Sequence, residues 1–133
     1  MVTLHGACIA LRGAGILIRG PSGAGKSSLA LLLAAAPDGA FVADDRVVCA
    51  IRDGRVTAAA HPALVGRVEV RGQGILSAVD LGLDVRPEAV LHLAVDLVET
   101  ASRLPDPPAD ADILGAAVPR LVLDRGVRAA GLA

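Results

Sequence analysis

The chain has no tryptophan and no tyrosine, and Phe41 is its single aromatic residue. No base-stacking platform is on offer, so the sequence leaves the identity of any nucleotide base open, with ATP as the default. Cysteine is equally scarce. Cys8 and Cys49 stand apart without Cys-x-x-Cys spacing, which excludes a disulfide framework and a thiolate zinc site. Two apolar, buried thiols in a reducing compartment are expected instead. An excess of one charge is missing too: 13 basic against 14 acidic side chains leave a net charge of -1, which gives nucleic acid or anionic lipid no electrostatic hold. The most apolar run, Leu29 to Ala36, falls far short of the ~20 residues that span a bilayer and reads as a core helix. No basic region followed by an apolar stretch and a small-residue cleavage site opens the chain, so no membrane or export is signalled and a cytoplasmic location is expected.

What is present suits one compact domain. With 133 residues, 53% of them hydrophobic and 20% charged, residues 1–133 are expected to bury one core and fold alone. Twelve of the basic residues are arginine, and the one lysine is Lys26.

Ala7 to Leu11 and Gly15 to Arg19 flank Arg12-Gly13-Ala14, which predicts a hairpin feeding a buried strand. Gly20 to Gly25 is a loop. Lys26 to Ala36 favours helix, stopped by Pro37-Asp38-Gly39. Phe41-Val42-Ala43 is a short strand ending in Asp44-Asp45. Val47 to Ile51 and Arg55 to Ala59 form a second hairpin around Asp53-Gly54, and Val68-Glu69-Val70 leads into a glycine-punctuated stretch. Val90 to Val95 reads as a buried strand, Pro105 to Pro108 as a loop, Val118 to Leu123 as a last strand and Arg125 to Ala133 as a short or frayed helix. One strong helix among many strands predicts a mixed α/β domain with a mixed sheet.

Gly20-Pro21-Ser22-Gly23-Ala24-Gly25-Lys26-Ser27 fits G-x-x-x-x-G-K-[ST] and lies between a predicted strand and a predicted helix, the context a phosphate-binding P-loop requires. Glycines let backbone N–H groups wrap the phosphates, and the helix start adds unpaired donors and a positive dipole end. Lys26 is then expected on the β- and γ-phosphates and Ser27 on magnesium, with Ser28 next in the binding segment. Asp44-Asp45, at a strand end beside this loop, offer one carboxylate for the metal and one to accept the proton of an attacking hydroxyl. Glu69 is one of three glutamates and stands near Arg71, so a structural Glu-Arg pair competes with a metal role. His5 lies near the first strand, where a lone histidine is usually structural, and His61 and His92 have no constellation.

These blocks together resemble the catalytic domain of bacterial HPr kinase/phosphorylase, a P-loop family similar in fold to phosphoenolpyruvate carboxykinase. The resemblance runs through His5-Gly6, Gly20 to Ser27, Val42 to Asp45 and Glu69 to Ile75, roughly residues 3 to 98. It implies an ATP- and Mg2+-dependent enzyme that phosphorylates a serine of HPr, the phosphocarrier of the sugar phosphotransferase system, with reverse phosphorolysis and homo-oligomeric assembly. It also implies that Asp44 activates the serine, that Ser27, Asp45 and Glu69 serve the magnesium or its waters, and that His5 lies near the phosphates. The chain is expected to lack the N-terminal regulatory domain of the long forms and to be similar to the short forms of α-proteobacteria. Ser28 stands where the family commonly has an acid, and beyond Leu97 no spacing selects among Arg120, Arg125 and Arg128 as a phosphate contact. An ATP-binding sensor that transfers nothing is the alternative.

Overall fold

The computed structural model describes residues 1–21, 23–70, 72–99 and 108–124. Strands β1 (Val2–His5), β2 (Ala7–Leu11) and β3 (Ala14–Arg19) precede helix α1 (Lys26–Ala34), which is followed by β4 (Gly39–Ala43), β5 (Arg46–Arg52) and β6 (Arg55–Ala60). A short 3-10 turn (Pro62–Leu64) leads to β7 (Arg67–Val70), β8 (Gly74–Ser77) and the long β9 (Glu88–Val98). The described chain closes with β10 (Ala111–Ile113), β11 (Ala116–Val118) and β12 (Arg120–Asp124). Of the loop expected at Pro105 to Pro108, residues 105–107 lie outside the described residues, as does the segment Arg125 to Ala133.

Three hairpins share one turn chemistry. Arg12-Gly13, Asp53-Gly54 and Leu114-Gly115 each place two residues at positive φ (51° and 81°, 52° and 76°, 55° and 82°). Positive φ at both central positions defines the type I′ turn, whose twist matches that of paired strands. The first two were read from the sequence. The third was not, because Leu114 is an unusual first residue; the Gly115 N–H is held instead by Asp112 Oδ1 at 2.9 Å. Helix α1 stops two residues before the expected Ala36. A Cβ at Gly39 would lie 2.2 Å from the Leu33 carbonyl oxygen, so β4 begins pressed against the helix end. The expected last strand is divided at Pro119, whose carbonyl accepts from Ala94 N–H at 2.8 Å.

The main sheet is mixed, as expected. Its eight strands run β1-β5-β6-β9-β3-β2-β4 with β12 also on β9, and β9 pairs parallel with β3 and β12 while the other pairs are antiparallel. The sheet curls until its two ends meet. His5 pairs with Arg46 and Cys8 with Ala43, so β1-β2 and β4-β5 form one antiparallel ladder that bends where Gly6-Ala7 face Asp44-Asp45. Gly6 N–H donates to the Asp45 carbonyl there at 3.1 Å. A Cβ on Gly6 would sit 2.5 Å from the Ile18 carbonyl oxygen, so glycine is the residue that allows the bend.

Helix α1 covers one face of the sheet with Leu29, Ala30 and Ala34 against Ile9, Ile18, Phe41, Val95 and Leu97. The β10-β11 hairpin brings Ala111, Ile113 and Val118 to the other face, against Leu17, Val42, Val47 and Leu91. Cys8 and Cys49 are both buried and free, as expected. Burial, assisted by the neighbouring Cys49, pushes the Cys8 thiol up to about 12, and burial raises that of Cys49 as well.

Candidate active site

The glycine loop leaves the sheet at the end of β3 and enters α1. Gly20 passes so close to β9 that a Cβ would lie 2.9 Å from the Leu97 carbonyl oxygen. Gly23 (φ 81°) and Gly25 (φ 96°) carry the turn in the left-handed region, and a Cβ on either would meet nothing within 4 Å. Both glycines therefore serve the backbone path and front open space. Gly25 caps α1 without a side-chain hydrogen bond, which leaves first-turn N–H groups facing the loop. Lys26 Nζ donates to the carbonyls of Gly20 (2.7 Å) and Pro21 (3.0 Å), so its ammonium is already drawn inside the loop. Ser22 lies outside the described residues.

At the bend of the ladder the two adjacent aspartates are turned apart. Asp44 is 5% exposed. Its carboxylate takes Ser27 Oγ at 2.9 and 3.0 Å, the N–H of Asp45 on Oδ1 at 2.9 Å and the N–H of Glu69 on Oδ2 at 2.9 Å. Ser27 has one proton for two oxygens within reach, so one carboxylate lone pair is left for a further donor. Asp45 sits at φ 70°, and the Arg46 N–H returns to the Asp44 carbonyl at 2.8 Å. This is a γ-turn with positive central φ, a rare and strained conformation. It sends the Asp45 carboxylate outward, where Oδ1 stands 3.3 Å from His5 Nε2 with both side chains about half exposed.

The two halves of this arrangement enclose a cleft of about 410 Å³ lined by His5, Gly23, Gly25, Lys26, Ser27, Ser28, Asp44, Asp45 and Glu69, together with Leu31 and Val70. Nine residues singled out in the sequence thus meet in one place. Gly20, Pro21 and Ala24 stand behind it: two of them supply the carbonyls that hold Lys26, and Ala24 N–H donates to the Pro21 carbonyl at 3.1 Å. Glu69 is exposed on β7, and Arg71, the partner weighed for it, lies outside the described residues. Leu31 was missed, although it lies four residues after Ser27 on the same helix face, a spacing that could have found it. His61 is structural, as read: Nδ1 accepts from Ala63 N–H at 3.1 Å.

A charged cluster missed by the sequence reading lies directly behind the loop. Asp96 on β9 takes Arg19 Nε (2.7 Å) and a second Arg19 nitrogen (2.9 Å), while Arg120 Nε donates to Asp96 Oδ2. Burial pushes the Asp96 carboxyl up, but the hydrogen bonds and charges of the two guanidinium groups outweigh it and hold it below the ordinary value. Arg120 is thereby engaged away from the cleft. Arg125 and Arg128 lie outside the described residues.

The donor chemistry suits magnesium, a hard cation that takes oxygen ligands and commonly binds through one or two carboxylates plus substrate phosphates. Ser27, Asp45 and Glu69 bring one hydroxyl and two carboxylates to the lining of the cleft. The open first turn of α1 and Lys26 are the groups that would meet the phosphates of a nucleoside triphosphate in the same cleft.

Comparison with known proteins places the chain. The model of the HPr Serine kinase C-terminal domain matches residues 1–128. The chain belongs to this family. An HPr kinase/phosphorylase of Bordetella petrii is 37% identical over 129 residues, covering 91% of this chain and 42% of the relative. One from Mycoplasma mycoides is 37% identical over 97 residues, 71% of this chain and 31% of the relative. The chain therefore spans less than half the length of these HPr kinase/phosphorylases. The solved Hpr(Ser) kinase/phosphatase from Coxiella burnetii superimposes with a TM-score of 0.80 over 93% of this chain and 86% of that chain, at 24% identity, and so shares its fold. Among the described residues no helix is long and apolar enough to cross a membrane.

Proposed function

We propose that this chain carries the catalytic site of an ATP- and Mg2+-dependent protein-serine kinase whose acceptor is an HPr-like phosphocarrier. The observation that carries the proposal is the Ser27 hydroxyl resting on the Asp44 carboxylate at the mouth of a glycine loop that already holds Lys26. Family membership supplies the class of reaction and of acceptor.

In this reading the backbone of Gly23 to Lys26 and the start of α1 bind the phosphates, and Lys26 leaves its two loop carbonyls for the β- and γ-phosphates. Ser27, Asp45 and Glu69 hold the magnesium or its waters. Magnesium, when bound, neutralises charge along the phosphate chain and orients it. Asp44 takes the proton of the acceptor serine on its remaining lone pair as the serine oxygen forms its bond to the γ-phosphorus and the bond to the bridging oxygen breaks, releasing ADP. His5, held by Asp45, stands near the transferring group. The reverse phosphorolysis, in which inorganic phosphate takes the phosphoryl group from phosphoserine and yields pyrophosphate, uses the same groups with Asp44 giving the proton back. Homo-oligomeric assembly in the cytoplasm completes the proposal.

The test is to incubate the pure chain with ATP, magnesium and the HPr of its own organism and to map phosphate on HPr by mass spectrometry. Phosphoserine that disappears with Asp44→Asn supports the kinase. ATP binding with unmodified HPr overturns it in favour of a nucleotide sensor. Lys26→Ala is expected to abolish nucleotide affinity with the fold intact; retained tight binding overturns the assignment of the phosphate site.

A further inference from the structure

Arg19, Asp96 and Arg120 do not line the cleft, yet their cluster sits at the root of the glycine loop. Arg19 is the last residue of β3, opposite Asp96 in the parallel register of β3 on β9. Its guanidinium meets the Asp96 carboxylate through two nitrogens at 2.7 and 2.9 Å, the planar two-point contact that fixes direction as well as distance. The next residue, Gly20, approaches the Leu97 carbonyl of the same strand and offers its own carbonyl to Lys26 at 2.7 Å. From Asp96 to the lysine the path runs through the two-point contact with Arg19, the backbone from Arg19 to Gly20 and one more hydrogen bond. Arg120, from β12, donates its Nε to Oδ2, the oxygen that also accepts from Arg19, so the last described strand is tied to the same point. Side chains of Arg19, Asp96 and Arg120 are 29%, 15% and 20% exposed, enough burial to keep the contacts ordered and the charges weakly screened.

We propose that Asp96 is a positioning residue for the nucleotide: holding Arg19 at both oxygens and Arg120 at Oδ2, it sets where Gly20 leaves the sheet and hence where Lys26 stands relative to the phosphates. This inference rests on the nucleotide reading above, and it assigns Asp96 no contact with nucleotide, metal or acceptor.

The experiment is calorimetric titration of Mg-ATP into the parent chain, Asp96→Asn and Arg19→Lys, at a temperature where melting curves show all three fully folded. Arg19→Lys keeps the charge and loses the two-point contact, and it answers the question if Asp96→Asn fails to fold. Outer-shell partners of metal ligands contribute about 10- to 100-fold in affinity, and with the lower end of that scale applied to Lys26 a loss of roughly tenfold is expected in both variants. The maximal rate at saturating nucleotide should change far less than the KM for ATP, a split that a purely structural role would not produce. A parent that binds while both folded variants bind equally well overturns the inference alone. A parent that does not bind Mg-ATP overturns the nucleotide reading and the inference with it.

Discussion

Gly6 gives its backbone N–H to the Asp45 carbonyl at 3.1 Å, and this bond ties together two bends that lie far apart in sequence. On one strand the bend follows His5; on the other it is made by Asp44 and Asp45. The residues that approach the cleft from the sheet side therefore owe their places to one corner in one ladder.

Gly6→Ala should be severe. The added Cβ would fall 2.5 Å from the Ile18 carbonyl oxygen, a backbone atom with no freedom to give way. A cost of about 1–3 kcal/mol is expected, as for other additions to a filled interior, and urea unfolding measures it. Activity should fall further than stability, since moving the bend separates His5 from Asp45; a soluble variant of parental stability would mean that the corner relaxes.

At Asp45 the backbone and the carboxylate can be tested apart. Asp45→Ala and Asp45→Gly both remove the group beside His5, but only glycine tolerates φ 70° without strain. The alanine variant should be the less stable by about 1 kcal/mol in chemical denaturation. Equal stabilities would show that the γ-turn opens once the side chain is gone.

Glu69→Gln should weaken the magnesium dependence of activity more than ATP binding. The side chain is exposed, and the contact that matters for the fold, the Glu69 N–H on Asp44 at 2.9 Å, belongs to the backbone and survives the change. Stability should stay within about 0.5 kcal/mol of the parent, as for ordinary surface substitutions. A large stability loss with unchanged magnesium dependence would return Glu69 to a structural role.

The Asp96 cluster predicts a direction with pH. A carboxyl held below its ordinary value of 3.8 in the fold stabilises fully above that value and loses its contribution as pH falls through the lowered one. Urea midpoints followed from neutral pH down to about pH 2 should show the parent losing its advantage over Asp96→Asn only below the ordinary carboxyl range. An advantage that vanished nearer neutrality would point to another group.

Local chemistry was legible in the sequence and distant pairing was not. Asp53-Gly54, Arg12-Gly13 and the stretch from Gly20 to Ser27 announce themselves through residues a few positions apart, and the structure places two hairpin turns and a strand-loop-helix there. Val2–His5 alternates apolar and polar side chains and could have been recognised as a strand; four residues were too few to insist on it. The Arg19–Asp96 contact spans 77 positions, and nothing near either residue foretells the other. Asp44 and Asp45 were visible as a pair, but their opposite directions depend on a backbone conformation that no side-chain pattern encodes.

Only two residues connect β4 to β5, and these strands belong to opposite regions of the curled sheet. So short a link cannot bridge an open sheet. Closing the bent ladder therefore fixes the corner at Gly6 and the turn at Asp44-Asp45 together, so that neither can shift without the other.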